Sequence, residues 1–160
     1  MLKVVSNTTP LLTLLKISKL NLLKEIYGEI IIPDAVYEEI EHGKNMKYYT
    51  DLKKLDWIKI SSVKNKNDSR YFIDLDKGEA EVIILAEENN ADIVIIDERI
   101  GREYANYYKL KVTGTIGILL KAKQKGLIKE LRPLLAEMKE KGVWVSDNLI
   151  KTILEIVKEA

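Results

Sequence analysis

Residues 92–98 read Asp92-Ile93-Val94-Ile95-Ile96-Asp97-Glu98. Four β-branched residues in succession make a strand, and the absence of any polar alternation means that both of its faces are covered. Such a strand belongs in a parallel sheet packed by helices on each side. Its end matters as much as its middle. In an open parallel sheet, ligands bind beyond the carboxyl ends of the strands, near the point where strand order reverses. Here the strand hands over directly to Asp97 and Glu98.

The same grammar continues in both directions. Residues 2–5 form a second buried strand, ended by Ser6-Asn7-Thr8-Thr9-Pro10, so Asn7 stands after this strand as Asp97 stands after the other. Leu11, Leu12, Leu14, Leu15 and Ile17 then give a helix with a broad apolar stripe, and a second helical piece covers 20–27. Residues 29–32 are the next strand, and Pro33 is well placed to open a helix over 34–41. The pattern predicts a helix over 46–55, a short strand over 57–60 and a polar loop over 61–70. Asp76-Lys77-Gly78 leads into a helix over 79–88. Beyond the central strand, 99–108 is helical, 110–112 extended and 114–125 helical. Two amphipathic helices, about 129–140 and 146–158, close the chain, with Pro133 tolerated near the start of the first. The alternation predicts an α/β fold with a central, mainly parallel sheet, a single domain over 1–160 with 129–160 as a C-terminal helical addition.

Composition narrows the chemistry. The chain has 160 residues, 46% of them hydrophobic, with 26 Lys+Arg against 25 Asp+Glu for a net charge of +1. That balance excludes a histone-like binder relying on massed cations, though not a local basic groove. There is no cysteine and a single histidine, His42, which removes disulfides, zinc knuckles, iron–sulfur ligation and thiol nucleophiles. A metal held here must be held by oxygen, which favours Mg²⁺ or Mn²⁺. No apolar run approaches the roughly 18 residues of a membrane span. The opening Met1-Leu2-Lys3-Val4-Val5 is too soon interrupted for a signal peptide. The expected location is the cytoplasm.

Further acids fall where the fold would gather them. Glu39 lies beside the Val36–Ile40 seam of its helix and can turn to the interior edge. Glu79 stands four residues before Ile83 and tops a buried stripe, a costly place for an unpaired charge. Each has a plain structural use as well. Glu79 and Glu81 suit a first helical turn, Glu38 and Glu39 a solvated face, and Asp97 an N-cap. The shared location at one end of one sheet is what sets them apart.

Taken together, Val4-Val5-Ser6-Asn7-Thr8-Thr9-Pro10-Leu11-Leu12, Ile32-Pro33-Asp34-Ala35-Val36-Tyr37-Glu38-Glu39-Ile40, Gly78-Glu79-Ala80-Glu81 and Ile96-Asp97-Glu98-Arg99-Ile100-Gly101-Arg102 resemble the PIN-domain superfamily. More narrowly, with Gly78-Glu79-Ala80-Glu81, Asp97-Glu98-Arg99 and a Thr113-Gly114-Thr115 turn, they resemble a prokaryotic PIN-like subgroup. The resemblance implies a three-layer α/β/α fold and a Mg²⁺- or Mn²⁺-dependent endoribonuclease acting on single-stranded RNA. Many such proteins are toxins paired with an antitoxin, and many form homodimers. It places the family's acidic cluster on Asn7, Glu39, Glu79 and Asp97, with Thr9 as a supporting hydroxyl. Glu81 and Glu98 are candidate additional ligands, and Arg99 and Arg102 candidate substrate contacts. The catalytic acids it implies are Glu39, Glu79 and Asp97.

One position departs from that pattern: Asn7 stands where the family has an aspartate. Asparagine offers a carbonyl oxygen but no charge, so metal affinity falls. The alternative to a nuclease is therefore a weakened or inactive PIN-like module that binds nucleic acid or protein. Lys59, Lys64, Lys66 and Arg70 read as a solvated basic run, and Tyr104, Tyr107 and Tyr108 as helix-packing aromatics. No Gly-rich phosphate loop or dinucleotide fingerprint follows any strand.

Overall fold

The computed structural model describes residues 2–160. Its strands are β1 (Val4–Ser6), β2 (Ile30–Pro33), β3 (Ile58–Ser61), β4 (Ile93–Ile95) and β5 (Val112–Thr113). They form one sheet in the order β3-β2-β1-β4-β5, every pairing parallel. β1 and β4 are buried at each position, so helices cover both faces, as the unbroken apolar runs require. The order reverses between these two strands, which pair Val4 with Ile93, Val5 with Val94 and Ser6 with Ile95. That register brings the residues after β1 beside those after β4, and Asn7 N–H donates to Ile95 O at 2.9 Å.

The helices are α1 (Thr8–Lys16), α2 (Asn21–Tyr27), α3 (Asp34–Glu41), α4 (Lys77–Glu88), α5 (Arg99–Tyr107), α6 (Thr115–Gln124), α7 (Arg132–Glu140) and α8 (Asp147–Ile156). α4 is the central one. It packs against β1, β2 and β4 and buries nine consecutive residues, Gly78 to Ala86. Pro33 ends β2 in an extended conformation and serves as the N-cap of α3, since it has no N–H to lose there.

The helix expected over 46–55 does not form. Met46 is 52% exposed and only Leu52 is driven fully inside, too little apolar surface to hold three turns. A 3₁₀ turn over Leu52–Lys54 replaces it, capped by Asp51, which accepts from Lys53 N–H at 3.1 Å. The loop over 61–70 likewise ends in a 3₁₀ turn at Ser69–Phe72.

The last two helices turn their apolar faces onto the same core. Leu131, Leu134, Leu135 and Met138, with Ile153 and Leu154, join the cluster built on the sheet. Glu159 ties the chain's end back by accepting from Leu131 N–H (2.8 Å) and Arg132 N–H (2.9 Å), which satisfies donors at the start of α7.

Candidate functional site

Asn7 begins the site. It is the N-cap residue of α1, yet its side chain makes no capping bond. The amide instead turns across the gap between β1 and β4, where Nδ2 donates to Glu98 Oε2 at 3.4 Å. The Thr9 hydroxyl donates to the other oxygen, Glu98 Oε1. Glu98 is thus held by the β1–α1 turn and does not cap its own helix, α5. Asn7 is 3% exposed and its Oδ1 accepts no hydrogen bond among the described residues.

Opposite this turn lies the start of α4. Asp76 and Glu79 form a reciprocal capping box: Asp76 Oδ1 accepts from Glu79 N–H (2.7 Å), and Glu79 Oε1 accepts from Asp76 N–H (3.2 Å). Between them, Gly78 faces Glu39 of α3. A Cβ on Gly78 would stand 2.5 Å from Glu39 Oε1 and 3.4 Å from both Asn7 Oδ1 and Asp76 Oδ1. A side chain there would push the flexible Glu39 carboxylate aside and leave the other two oxygens in ordinary contact. The buried Thr8 hydroxyl lacks a hydrogen-bond partner; it lies near enough to Glu39 to favour its charge without aligning for a bond.

The β4 side is arranged otherwise. Asp97 Oδ1 accepts from Thr115 N–H at 2.7 Å and Oδ2 from the Thr115 hydroxyl at 2.7 Å, joining the end of β4 to the start of α6. Arg102 Nη1 donates to Ile96 O at 3.0 Å. Both groups crowd Gly114, where a Cβ would lie 2.7 Å from Asp97 Oδ1 and 2.9 Å from Arg102 Nη1.

Electrostatics bind these pieces together. Burial pushes Glu79 up to about 7, with the neighbouring Asp76 and Glu98 charges adding to the rise. Glu39 is raised by burial first and then by the charges of Asp76 and Glu98. Asp97 is raised by burial, against the opposing pull of its Thr115 bonds. The Glu98 charge acts on all three, which puts it at the middle of the group.

Asn7, Glu39, Glu79, Asp97 and Glu98 therefore lie near one another at the carboxyl edge of the sheet. Glu81 is directed elsewhere. Its carboxylate accepts from Ala35 N–H (3.0 Å) and the Tyr71 hydroxyl (2.8 Å), closing the start of α3 from the neighbouring helix. Arg99 is exposed and pairs with Glu103 at 2.8 Å, whereas Arg102 stays beside Asp97. Arg70 is tied to Asp68 at 2.8 Å and to Glu87, with its guanidinium over Tyr108. The other basic residues of that loop are exposed or half-exposed.

Two participants escape the sequence reading. Asp76 has a legible signal, an acid three residues before Glu79, but that spacing reads only as a helix start. Trp144 has none. It protrudes from the α7–α8 loop, 85% exposed, and walls a groove of about 440 Å³ that Thr9, Lys16, Asp97 and Thr115 also line.

Among the described residues no three acidic or imidazole side chains make a ready cage for a metal. Where oxygens do converge, at Gly78, one of them belongs to the amide of Asn7. The donor set is all oxygen, which fits a hard divalent cation completed by water and substrate.

A parallel α/β/α sheet with carboxylates gathered at its switch point defines a nuclease-like class. The chain belongs to the PIN-domain family, whose model it matches over residues 3–159. PIN domains are generally divalent-metal-dependent nucleases. In fold it is similar to a PilT N-terminus domain protein of the archaeon Sulfolobus solfataricus, at a TM-score of 0.55 and 18% identity, over 76% of this chain and 93% of that one. No curated protein was found to match the chain. Among the described residues, no helix is long and apolar enough to cross a membrane.

Proposed function

We propose that this chain is a Mg²⁺- or Mn²⁺-dependent endoribonuclease that cleaves single-stranded RNA in the cleft between β1 and β4. The observation that carries the reading is the gathering of Asn7, Glu39, Asp76, Glu79, Asp97 and Glu98, from several separate elements, at one end of the sheet. A divalent cation bound there would lower the pKa of a bound water and stabilise charge developing on the phosphate. Glu39 and Asn7 would hold it, with Asp97 anchored by Thr115 on the far wall. Glu79, near neutrality in its pKa, is suited to take up or release a proton at its carboxylate. Arg102 supplies the cation beside the phosphate path. The groove between Asp97 and Trp144 gives an extended strand a course out of the cleft. The 129–160 segment, read as an addition to a single unit, provides that groove's outer wall.

The test compares Mn²⁺-dependent cleavage of single-stranded RNA by the native protein, Asn7→Asp and Asp97→Asn. Cleavage by the native protein that Asp97→Asn abolishes supports the reading; no cleavage across several metals and RNAs overturns it. A toxin role, with an antitoxin as partner, is checked by growth arrest on expression that Glu39→Gln relieves.

One feature favours a second reading, a binding module without catalysis. The Asn7 amide already satisfies Glu98 without any cation. An inert native protein that Asn7→Asp makes active would establish it.

A further inference from the structure

We propose that the groove between α1 and the α7–α8 loop is a subsite for one unpaired nucleotide beside the scissile bond. The base stacks on Trp144, the phosphate is held at Lys16, and the need to seat a free base restricts the protein to single strands. This rests on the nuclease reading above and names what selects its substrate.

The two walls of the groove differ in chemistry as the two sides of a nucleotide do. Along α1, Thr9, Thr13 and Lys16 line it at intervals of four and three residues, one helical face about 10 Å long. That face starts at the acidic cleft, where the Thr9 hydroxyl donates to Glu98, and ends at the cation. The opposite wall is largely apolar, with Val143, Trp144, Val145 and Leu149. Its volume of about 440 Å³ is that of a small-ligand site, so a nucleotide enters it and a duplex does not.

Charge decides the occupant. Among the described residues lining the groove, Lys16 is the one cation and Asp97 the one acid. Both Asp97 oxygens are already met by Thr115. Lys16 is half-buried and makes no ion pair among the described residues; its ammonium lies over the Tyr48 ring, 5.5 Å from the centroid. A ring orients that charge without cancelling it, which leaves it for an anion.

The indole is exposed but well placed. Val143 N–H donates to Met138 O at 2.9 Å on one side of it, and the Ser146 hydroxyl caps α8 on the other by accepting from Leu149 N–H at 3.1 Å. Lys141 Nζ donates to Lys16 O at 2.8 Å and ties the end of α7 to α1, so the walls are fixed against each other. An apolar ring anchored in water beside a cation suits an unstacked base, which single strands offer and duplexes do not.

Trp144 supplies its own probe, because the other tryptophan, Trp57, is buried. The experiment follows tryptophan emission and fluorescence anisotropy as oligoadenylate is added in EDTA, so that the strand is held and not cut. Single-stranded oligoadenylate should quench the emission; the same strand paired with oligouridylate should leave it unchanged. Trp144→Phe should hold the strand within about threefold while the quenching disappears, since a phenyl ring also stacks. Lys16→Gln should flatten the plot of log affinity against log salt by about 0.7, one phosphate contact on a single strand. An unquenched indole with the strand bound overturns the proposal, as does equal quenching by the duplex or an unaltered salt slope in Lys16→Gln. Emission that shifts with protein concentration before RNA is added also overturns it, since a second copy then fills the groove. Mn²⁺-dependent cleavage separates the two readings. Cleavage with a silent Trp144 leaves the nuclease standing and removes the subsite; quenching without cleavage in Mn²⁺ keeps the subsite and removes the catalysis.

Discussion

The two walls of the cleft use the same residue types and finish them differently. On the β4 side, Asp97 receives a backbone N–H and a hydroxyl from Thr115, so each of its oxygens has a donor. On the β1 side, Glu39 Oε1, Asn7 Oδ1 and Asp76 Oδ1 lie around Gly78, and of the three Asp76 Oδ1 is met by a donor, the Glu79 N–H. An acid met by donors fastens elements together; acids facing other oxygens leave a place that only a cation or a proton can settle. Glu81 shows the first case again. Two residues after Glu79 in the same helix, its carboxylate is fully engaged by Ala35 and Tyr71.

The strongest way to break this contrast is to neutralise the open wall. Glu39→Gln should reduce Mn²⁺-dependent RNA cleavage by about 10³-fold, the several kcal/mol that a bound cation contributes to transition-state charge. The metal-free variant should unfold no earlier than the native protein, because the Glu39 charge is disfavoured there. Cleavage at native rates would mean that the open wall takes no part. Glu81→Ala tests the opposite case. It strands the Ala35 N–H and the Tyr71 hydroxyl, and denaturant titration should show a loss of about 3 kcal/mol. The folded fraction should still cleave, and Glu81→Gln should restore most of the stability.

Protonation tests what the two walls share, acids raised by burial. The Glu79 pKa of about 7 lies above its ordinary value of 4.5, so the folded state holds this proton more tightly than the unfolded chain does. The stabilisation is full below the ordinary value and is lost as pH rises through about 7. Metal-free protein should therefore weaken between about pH 5 and pH 8, by of order 2 kcal/mol. Glu39 and Asp97 are raised too and act in the same direction. Glu79→Gln, which keeps the capping box, should flatten the profile in calorimetry. Added Mn²⁺ should recover stability at the alkaline end. A profile that rises with pH in the metal-free protein would show that the open wall is not strained by charge.

Much of this was written locally. The unbroken run Ile93-Val94-Ile95-Ile96 announces a strand covered on both sides, and the acids after it announce the cleft, because both depend on neighbouring residues alone. What separates Glu79 from Glu81 does not. Both read as first-turn acids in the sequence, but α4 begins at Lys77 and leaves only Glu79 in its first turn, and their fates depend on Tyr71 and α3 arriving from elsewhere in the chain. Strand order is non-local for the same reason, and so is the convergence at Gly78, which joins residues 7, 39 and 76. The expectation of a helix over 46–55 fails because propensity there has only Leu52 to anchor it. Glu98 illustrates the middle ground. Its place after β4 is legible, but its bonds to Asn7 and Thr9 follow from the β1–β4 register.

Trp144 gives the smallest expected effect and extends the contrast beyond the acids. An indole that is 85% exposed on a loop contributes almost nothing to its own core, and here it lines the groove that Asp97 also lines. A base stacked on such a ring is held by about 1–3 kcal/mol without regard to sequence. Trp144→Ala should therefore weaken binding of a single-stranded oligonucleotide by about tenfold, measured by fluorescence anisotropy, with the thermal midpoint unmoved. Cleavage at saturating RNA should change little, because the ring is not one of the groups argued to move a proton. If affinity for RNA were unchanged while a dimer seen in sedimentation fell apart, the indole would belong to an interface between two copies. The groove would then end at Asp97, and the closed wall of the cleft would have no share in placing the strand.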